Sequence, residues 1–502
     1  MLALAFPPYE LSLLSWIAFV PLLYAIRGCR PYQVLVIAWF QAWTFYSVTG
    51  SWVFATLRGY AHLSIGTSAL EFVMLGLMLA GICAFAVAIA HYVSETLSLS
   101  MAITLPIAWT AQECLRARMP LGFPWNLVGY AAYRDIHLIQ FAEFTGVYGI
   151  SALIIFVNVE LYEVLVAPSA AARRKALSGL IAIPSLALLF GFIEVARLDS
   201  TAAAGRLKVA LISGGVPPTQ ARTASSRREA FDLYQTNTHQ TLALHPDLII
   251  WPESAAMCIF QPTANYPATM AEDAGYRSAL VKLAIDSGTP ILFGALAFKQ
   301  AHGKVTMFNR AYLLSRSGDV AGYYDKMKLV PFGEYLPMQQ FLGARLRTIT
   351  SVQHLHSGDS DAVFNLAGAR IAVRICYESI FPQLMRDAVA NGADLIVNIS
   401  NDAWYGRVGA QQTLAMTAMR AIETRRPVVR VANQGISAII SSTGRIQIVS
   451  RFIAIGDVRE VEWPGVCSFY VRVGDVFGLS CIGLVAIGLM LAVYVRRLPT
   501  AL

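Results

Sequence analysis

Three short stretches of the chain carry residue types suited to covalent chemistry. In Val373-Arg374-Ile375-Cys376-Tyr377-Glu378 a mostly β-forming run ends in a cysteine, and a helical pattern begins near Ser379. That reads as a strand emptying into a turn with a thiol at its carboxyl end, where α/β folds commonly keep reactive groups. In Leu248-Ile249-Ile250-Trp251-Pro252-Glu253-Ser254 a strand is stopped by proline, leaving Glu253 placed as a general base. In the stretch from Tyr323 to Tyr335 a cation, Lys326, is followed around a Pro331/Gly333 bend by a second carboxylate, Glu334. Each has an ordinary structural explanation when taken singly. Glu253 caps a helix, Lys326 is solvated, and Cys376 packs as a small hydrophobe, as most free cysteines do. Together, at the ends of separate strands, they supply a base, an oxyanion stabiliser and a nucleophile.

The composition says what must position them. Of 502 residues 56% are hydrophobic and only 14% charged, against about 25% charged in ordinary soluble domains; mean hydropathy is +0.53. The deficit is confined to roughly the first 195 and the last 25 residues, so the chain reads as a membrane protein with one sizeable inserted soluble domain. The net charge of +8 fits basic loops facing cytoplasm and anionic lipid, and no basic-aromatic pattern points to nucleic acid. Seven cysteines (Cys29, Cys83, Cys114, Cys258, Cys376, Cys467 and Cys481) show neither a Cys-x-x-Cys pair nor a histidine-rich partner, which argues against a metal site.

Apolar stretches of spanning length run at about 11–26, 34–55, 64–92, 97–115, 147–167, 176–196 and 476–495. The apolar run at 1–6 is too short to cross and reads as the end of a displaced helix, giving seven or eight spans. Arg27 and Arg30, the Arg173-Arg174-Lys175 cluster and the Arg496-Arg497 tail mark cytoplasmic loops, which threads the soluble domain to the outside; one re-entrant stretch would instead place it in the cytoplasm. Between two spans, residues 119–130 hold Pro120, Gly122, Pro124 and Gly129, forbidding a regular helix, while Phe123, Trp125 and Tyr130 suit the headgroup layer. This loop reads either as interfacial or as the border of a lipid entry site. Glu113 and Glu160 fall in or near spans and carry no assigned role.

In the soluble part, strands are expected at 207–212, 247–251, 291–295, 307–315, 371–375, 395–399, 428–431 and Ile436–Ile440. Helices are expected at 226–244, 276–287, 379–390 and 410–424. Alternation of the two predicts a layered α/β domain with helices covering sheets.

The order Glu253, Lys326, Cys376 resembles the triad of the carbon–nitrogen hydrolase (nitrilase) superfamily. The flanking sequence narrows this. Trp251-Pro252-Glu253-Ser254-Ala255, the segment from Lys328 to Tyr335, Ile375-Cys376-Tyr377-Glu378 and Asn401-Asp402-Ala403-Trp404-Tyr405-Gly406 look like the bacterial apolipoprotein N-acyltransferase family. So does the arrangement of a helix bundle (1–200), a hydrolase-like domain (201–470) and a final helix with its tail (471–502). The resemblance implies an αββα sandwich on a membrane bundle, in the inner membrane of a bacterium with the catalytic domain on the periplasmic side. It implies ping-pong acyl transfer. Cys376 takes an acyl chain from a membrane phospholipid as a thioester and passes it to the N-terminal amine of a diacylglyceryl-modified apolipoprotein. Glu253 acts as base and Lys326 as oxyanion partner, Glu334 and Glu378 orient the lysine or shape the pocket, and Tyr377 supports the nucleophile turn. No cofactor or metal is implied. A membrane-tethered amidase, in which water resolves the thioester, and a non-catalytic lipid or lipoprotein binder are the competing readings. Two positions depart from the family: Arg222 stands where tryptophan is usual, and Gln411-Gln412-Thr413 where a histidine is common.

Overall fold

The computed structural model describes residues 1–59, 63–216, 224–261, 271–301, 304–335 and 354–497. It divides into two units, Met1–Thr201 with Ser468–Leu502, and Ala202–Cys467.

In the first unit, Ile65–Leu97, Val147–Val166, Ala170–Ser200 and Val476–Arg497 are long and apolar enough to cross a bilayer, each reaching the ~20 residues that about 30 Å of hydrocarbon requires. Pro31–Thr49 and Met101–Arg118 stand at two further expected spans. Their lower apolarity comes from Gln33 and Gln41 in one and Gln112, Glu113, Arg116 and Arg118 in the other. Some of these polar groups are satisfied inside the unit. Arg116 Nη1 donates to the Tyr46 hydroxyl at 2.6 Å, and Glu113 Oε1 accepts from Trp109 Nε1 at 3.0 Å and the Val128 N–H at 2.8 Å. The expected span at 11–26 is instead a 3-10 turn, Ser12–Trp16, followed by a seven-residue helix, Val20–Ile26. Pro21 sits in the first turn of that helix, where its missing N–H costs nothing and its ring disfavours a helical turn before it. The 119–130 loop packs inward. Trp125 is buried between Trp52 and Phe123, at ring distances of 4.7 and 5.8 Å, and Tyr130 is buried as well.

Among the described residues the second unit holds twelve strands, β1 to β12 in chain order: Ala203–Ser213, Leu248–Ile250, Ile291–Ala301, Lys304–Leu314, Val320–Asp325, Val363–Leu366, Ala369–Ile375, Leu395–Asn401, Val428–Asn433, Ile436–Ile440, Ile446–Arg451 and Ile455–Pro464. They form two six-stranded sheets, ordered β12-β1-β2-β3-β4-β5 and β11-β10-β9-β8-β7-β6. In each sheet three neighbours run parallel, β1-β2-β3 in one and β7-β8-β9 in the other, with antiparallel strands outside them. Every residue of β8 and β9 is buried, as strands covered on both faces must be.

Helices Ala224–Thr241 and Ala271–Ser287 cover the first sheet, adding Phe231, Tyr234, Tyr276 and Leu280 to a core with Ile249, Trp251 and Phe293. Pro382–Ala390 and Gly406–Thr424 cover the second sheet. The sheets meet through β1 and β9, where the Ser213 hydroxyl donates to the Ala432 carbonyl at 3.1 Å. The domain is therefore an αββα sandwich. All eight expected strands are present, while β5, β6, β11 and β12 were not anticipated. These outer strands bury little: the pattern of β12 alternates charged and apolar residues and only Val461 and Trp463 are buried.

Candidate active site

Each of the three chemistry-bearing residues follows the carboxyl end of a strand. β2 ends at Ile250, and Trp251-Pro252 lead out to Glu253. β3 lets this turn approach closely: a Cβ on Gly294 would lie 2.7 Å from the Glu253 Cα, so the strand needs glycine there. β5 is two antiparallel steps from β3 and so points the same way as β2. It ends at Asp325, and the Lys326 N–H donates to the Asn309 carbonyl on β4 at 2.9 Å. β7 ends at Ile375, and Cys376 opens a 3-10 turn, Cys376–Ile380, with φ of +53°. A non-glycine residue in that region costs about 1–3 kcal/mol. The surrounding bonds must hold it there, as they do at other strand-to-helix elbows that present a nucleophile.

The structure brings the three together. Lys326 Nζ lies 2.8 Å from Glu334 Oε1 and 3.5 Å from Glu253 Oε1. Glu253 and Cys376 interact closely enough to shift each other's protonation. Glu253 Oε1 accepts from Asn309 Nδ2 at 2.7 Å and its Oε2 from the Asn401 N–H at 2.9 Å. All three residues are buried, Glu253 at 6%, Lys326 at 1% and Cys376 at 5% exposure, so their mutual electrostatics are weakly screened.

Burial raises the Glu253 carboxyl above its usual range, opposed by Lys326 and reinforced by Glu334. Burial also pushes the Cys376 thiol up to about 12, with Glu253 adding to this and Lys326 opposing it. Burial works against charge on Lys326, yet Glu334, Glu253 and Cys376 outweigh it and hold the ammonium above its ordinary value. The lysine is thus a permanent cation, the thiol rests protonated, and the base is tuned upward toward the thiol whose proton it would accept.

The supporting residues have distinct places. Glu334 Oε2 accepts from the Val330 N–H at 2.8 Å, fixing the Pro/Gly bend while its other oxygen holds Lys326. Glu378 is fully buried and accepts four hydrogen bonds. Its Oε1 takes the Tyr324 hydroxyl at 2.8 Å and the N–H groups of Met327 and Lys328 at 2.7 and 3.0 Å, and its Oε2 takes the Ile375 N–H at 2.7 Å. It therefore ties the nucleophile turn to the segment after Lys326. Tyr377 is buried edge-on against Phe381, with ring centroids 5.0 Å apart.

Sequence reasoning missed three participants. Asn309 donates to both Glu253 and Glu334, the latter at 3.2 Å. Its signal was an asparagine inside the β4 strand, a position that disfavours it. The Asn401 N–H and the Tyr405 hydroxyl, the latter 3.2 Å from Cys376 Sγ, lie in a motif already singled out but given no role. Of the two departures, Arg222 lies outside the described residues. Thr413 accepts from Arg430 Nη2 at 3.1 Å and donates to the Ala410 carbonyl at 2.9 Å. Among the described residues no group of three His, Cys, Asp or Glu side chains is placed to hold a metal ion.

Residues 1–159 match the apolipoprotein N-acyltransferase N-terminal domain family, and residues 208–451 match the carbon-nitrogen hydrolase family. An apolipoprotein N-acyltransferase of Geobacter metallireducens is 34% identical over 98% of this chain and 93% of its own length. One from Brucella suis is 30% identical over 90% of this chain and 86% of its own. Among solved structures, a mutant of a nitrilase-superfamily amidase from Nesterenkonia is 17% identical with a TM-score of 0.40, covering 55% of this chain and 96% of the amidase.

Proposed function

The chain belongs to the apolipoprotein N-acyltransferase family, and from that premise we propose that it moves an acyl chain from a membrane phospholipid to a diacylglyceryl-modified apolipoprotein. The acceptor is the α-amino group of the lipid-bearing N-terminal cysteine. The observation that carries the reading is the meeting of Glu253, Lys326 and Cys376 from three distant segments in one buried cluster.

In the first half-reaction the Cys376 proton passes to Glu253 as the sulfur attacks the ester carbonyl. The carbonyl oxygen gains negative charge, which Lys326 stabilises; a preorganised donor of this kind is worth about 3–4 kcal/mol. Collapse expels the lysophospholipid alkoxide, which takes the proton from Glu253, and a thioester remains. In the second half-reaction the amine attacks the thioester, Glu253 accepts its proton, and the sulfur leaves. Glu334, Glu378 and Asn309 act by position, holding Lys326, the nucleophile turn and Glu253 in register. The thioester conserves the energy of the ester bond, so the exchange needs no activated cofactor.

The basic residues at Arg27, Arg30, Arg173–Lys175 and Arg496–Arg497 support an inner-membrane protein with 202–467 on the periplasmic side. There the acyl chains of both substrates stay in the bilayer during the reaction.

The test is purified protein incubated with phospholipid labelled in its acyl chain. Label trapped on Cys376 and discharged to a synthetic diacylglyceryl lipopeptide, absent in Cys376→Ala, is the expected result. Free fatty acid alone would make the protein a hydrolase. An absence of covalent label would make it a binder.

A further inference from the structure

The last residue of β8 and the turn that follows it each reach the candidate site. The Asn401 N–H, at the end of β8, donates to Glu253 Oε2 at 2.9 Å, and four residues later the Tyr405 hydroxyl stands 3.2 Å from Cys376 Sγ. The turn is braced from behind. Asp402 is fully buried and accepts from Arg430 Nη2 at 2.6 and 2.7 Å, from the Ser400 hydroxyl at 2.7 Å and from the Ile436 N–H at 3.3 Å. The chain closes so tightly over this carboxylate that a Cβ on Gly435 would lie 2.1 Å from Asp402 Oδ2. Tyr405 is itself 5% exposed, so the fold, and not the solvent, sets where its hydroxyl points.

We infer that Tyr405 is a further catalytic residue, which donates a hydrogen bond to the Cys376 sulfur whenever that sulfur carries negative charge and so eases its departure from the thioester. The groups facing the sulfur are Glu253 from the turn after β2, Lys326 from the end of β5, and Ser400 and Tyr405 from β8 and its turn; Glu334 faces Tyr405 and Lys326. Glu378, on the nucleophile's own turn, is engaged by Tyr324 and three backbone N–H groups. Burial first, then Cys376 and Glu253, hold the Tyr405 phenol well above its ordinary value. It therefore keeps its proton and serves as a donor throughout.

The two half-reactions call on this donor differently. In the acyl-enzyme the sulfur is neutral. When the acceptor amine attacks, a C–N bond forms, the carbonyl electron pair moves to oxygen beside Lys326, and the amine proton passes to Glu253. Collapse breaks the C–S bond and leaves the electron pair on sulfur. That thiolate takes the Tyr405 hydrogen bond and then the proton held by Glu253, restoring the resting enzyme.

This rests on the proposed function only in taking Cys376 as the thioester-forming group. Tyr405→Phe keeps the ring and removes the donor. In the full-length protein in detergent, alkylation of Cys376 by iodoacetamide, followed against pH, reads the thiolate without any acyl chemistry. Losing one hydrogen bond to a charged group lowers the thiolate fraction about tenfold. The freed thiolate is about threefold more nucleophilic, so alkylation should slow by about threefold at each pH. In single-turnover experiments, discharge of labelled acyl-enzyme to a lipopeptide amine should fall about tenfold and its formation only about threefold. Asp402→Asn, which loosens the same turn from behind, should fall in the same unequal way. Equal losses in the two steps, or an unchanged alkylation profile in Tyr405→Phe, would overturn the inference. Full transfer by Cys376→Ala would instead overturn the parent reading, so the two failures are distinguishable.

Discussion

Replacing Glu378 by glutamine tests whether the nucleophile turn is held by charge and not merely by shape. The two side chains have nearly the same volume, so packing survives. What changes is the acceptor set. The amide oxygen keeps the position that accepts from Tyr324, Met327 and Lys328, where the geometry offers three donors to one oxygen. The amide nitrogen then faces the Ile375 N–H, which now donates to Oε2 at 2.7 Å. One charge-assisted hydrogen bond worth about 1.5–3 kcal/mol disappears, and a buried N–H left without an acceptor costs about 1–3 kcal/mol more. The total of roughly 3–6 kcal/mol bears on the residue directly before Cys376, whose φ of +53° already needs restraint. If half is relieved by the turn swinging out, the fraction of molecules with sulfur beside Glu253 falls about ten- to a hundredfold. The assay is the rate of acyl-enzyme formation from labelled phospholipid, with thermal unfolding followed on the same detergent sample. Glu378→Gln should acylate at least tenfold slower. Acylation within twofold of the native rate, with an unchanged melting profile, would refute the idea that this carboxylate positions the nucleophile.

Other expectations follow from the same site. Cys376→Ser should fold normally and lose transfer, because a hydroxyl is a far weaker nucleophile at neutral pH; retained transfer would count against a sulfur mechanism. With the thiol pushed up to about 12, the alkylation rate of Cys376 should climb about tenfold per pH unit through pH ~10 without a plateau. A plateau below pH ~9 would show a pre-formed thiolate. The same shift fixes the sign of a stability effect. The folded thiol holds its proton more tightly than the unfolded one, so its contribution is present below about pH 9 and is lost as pH rises from there toward 12; Cys376→Ala should flatten that loss. Arg374 is fully buried against Asp361, at 2.7 Å, and also donates to the Leu384 carbonyl. Arg374→Met should cost about 3–5 kcal/mol of unfolding stability by stranding Asp361, read as a lowered melting temperature with little change in the per-molecule rate of the folded fraction.

How much of this was legible in the sequence depended on where each signal resides. Glu253, Lys326 and Cys376 stood out because each is a polar residue placed directly after an apolar or β-forming run, a local pattern that needs no knowledge of the fold. The parallel strands were legible for a related reason: β8 and β9 are buried throughout and open on the apolar β-forming runs Leu395-Ile396-Val397 and Val428-Val429. The outer strands β5, β6, β11 and β12 were not, since their identity comes from pairing with neighbours and not from burying their own side chains. Tyr405 and the Asn401 N–H escaped because their value lies in distances across 29 and 148 residues of chain, which no window of sequence contains. In the membrane unit the apolar count at 11–26 reads as one span what the structure divides into a 3-10 turn and a short helix that starts at Val20, with Pro21 in its first turn.

The pattern of charges around the sulfur explains why so many partners are needed. A buried thiol beside a carboxylate is a poor nucleophile at rest: burial and Glu253 push it up to about 12 although Lys326, Ser400 and Tyr405 all act to lower it. Lowering it further with another fixed cation would give a standing thiolate, exposed to oxidation and to premature attack. Hydrogen-bond donors avoid that outcome. On the proposed mechanism the Tyr405 hydroxyl, 3.2 Å from the sulfur, would act only as charge develops there. The acidic groups Glu334 and Glu378 then serve the donors and not the reacting atoms, one holding Lys326 and the other the backbone on either side of the site. On this argument the carboxylates differ in what their loss does. Removing Glu253 should abolish proton transfer, whereas removing Glu334 should chiefly weaken oxyanion stabilisation. Glu334→Gln should therefore slow both half-reactions by similar factors, in contrast to the unequal effect expected of Tyr405→Phe.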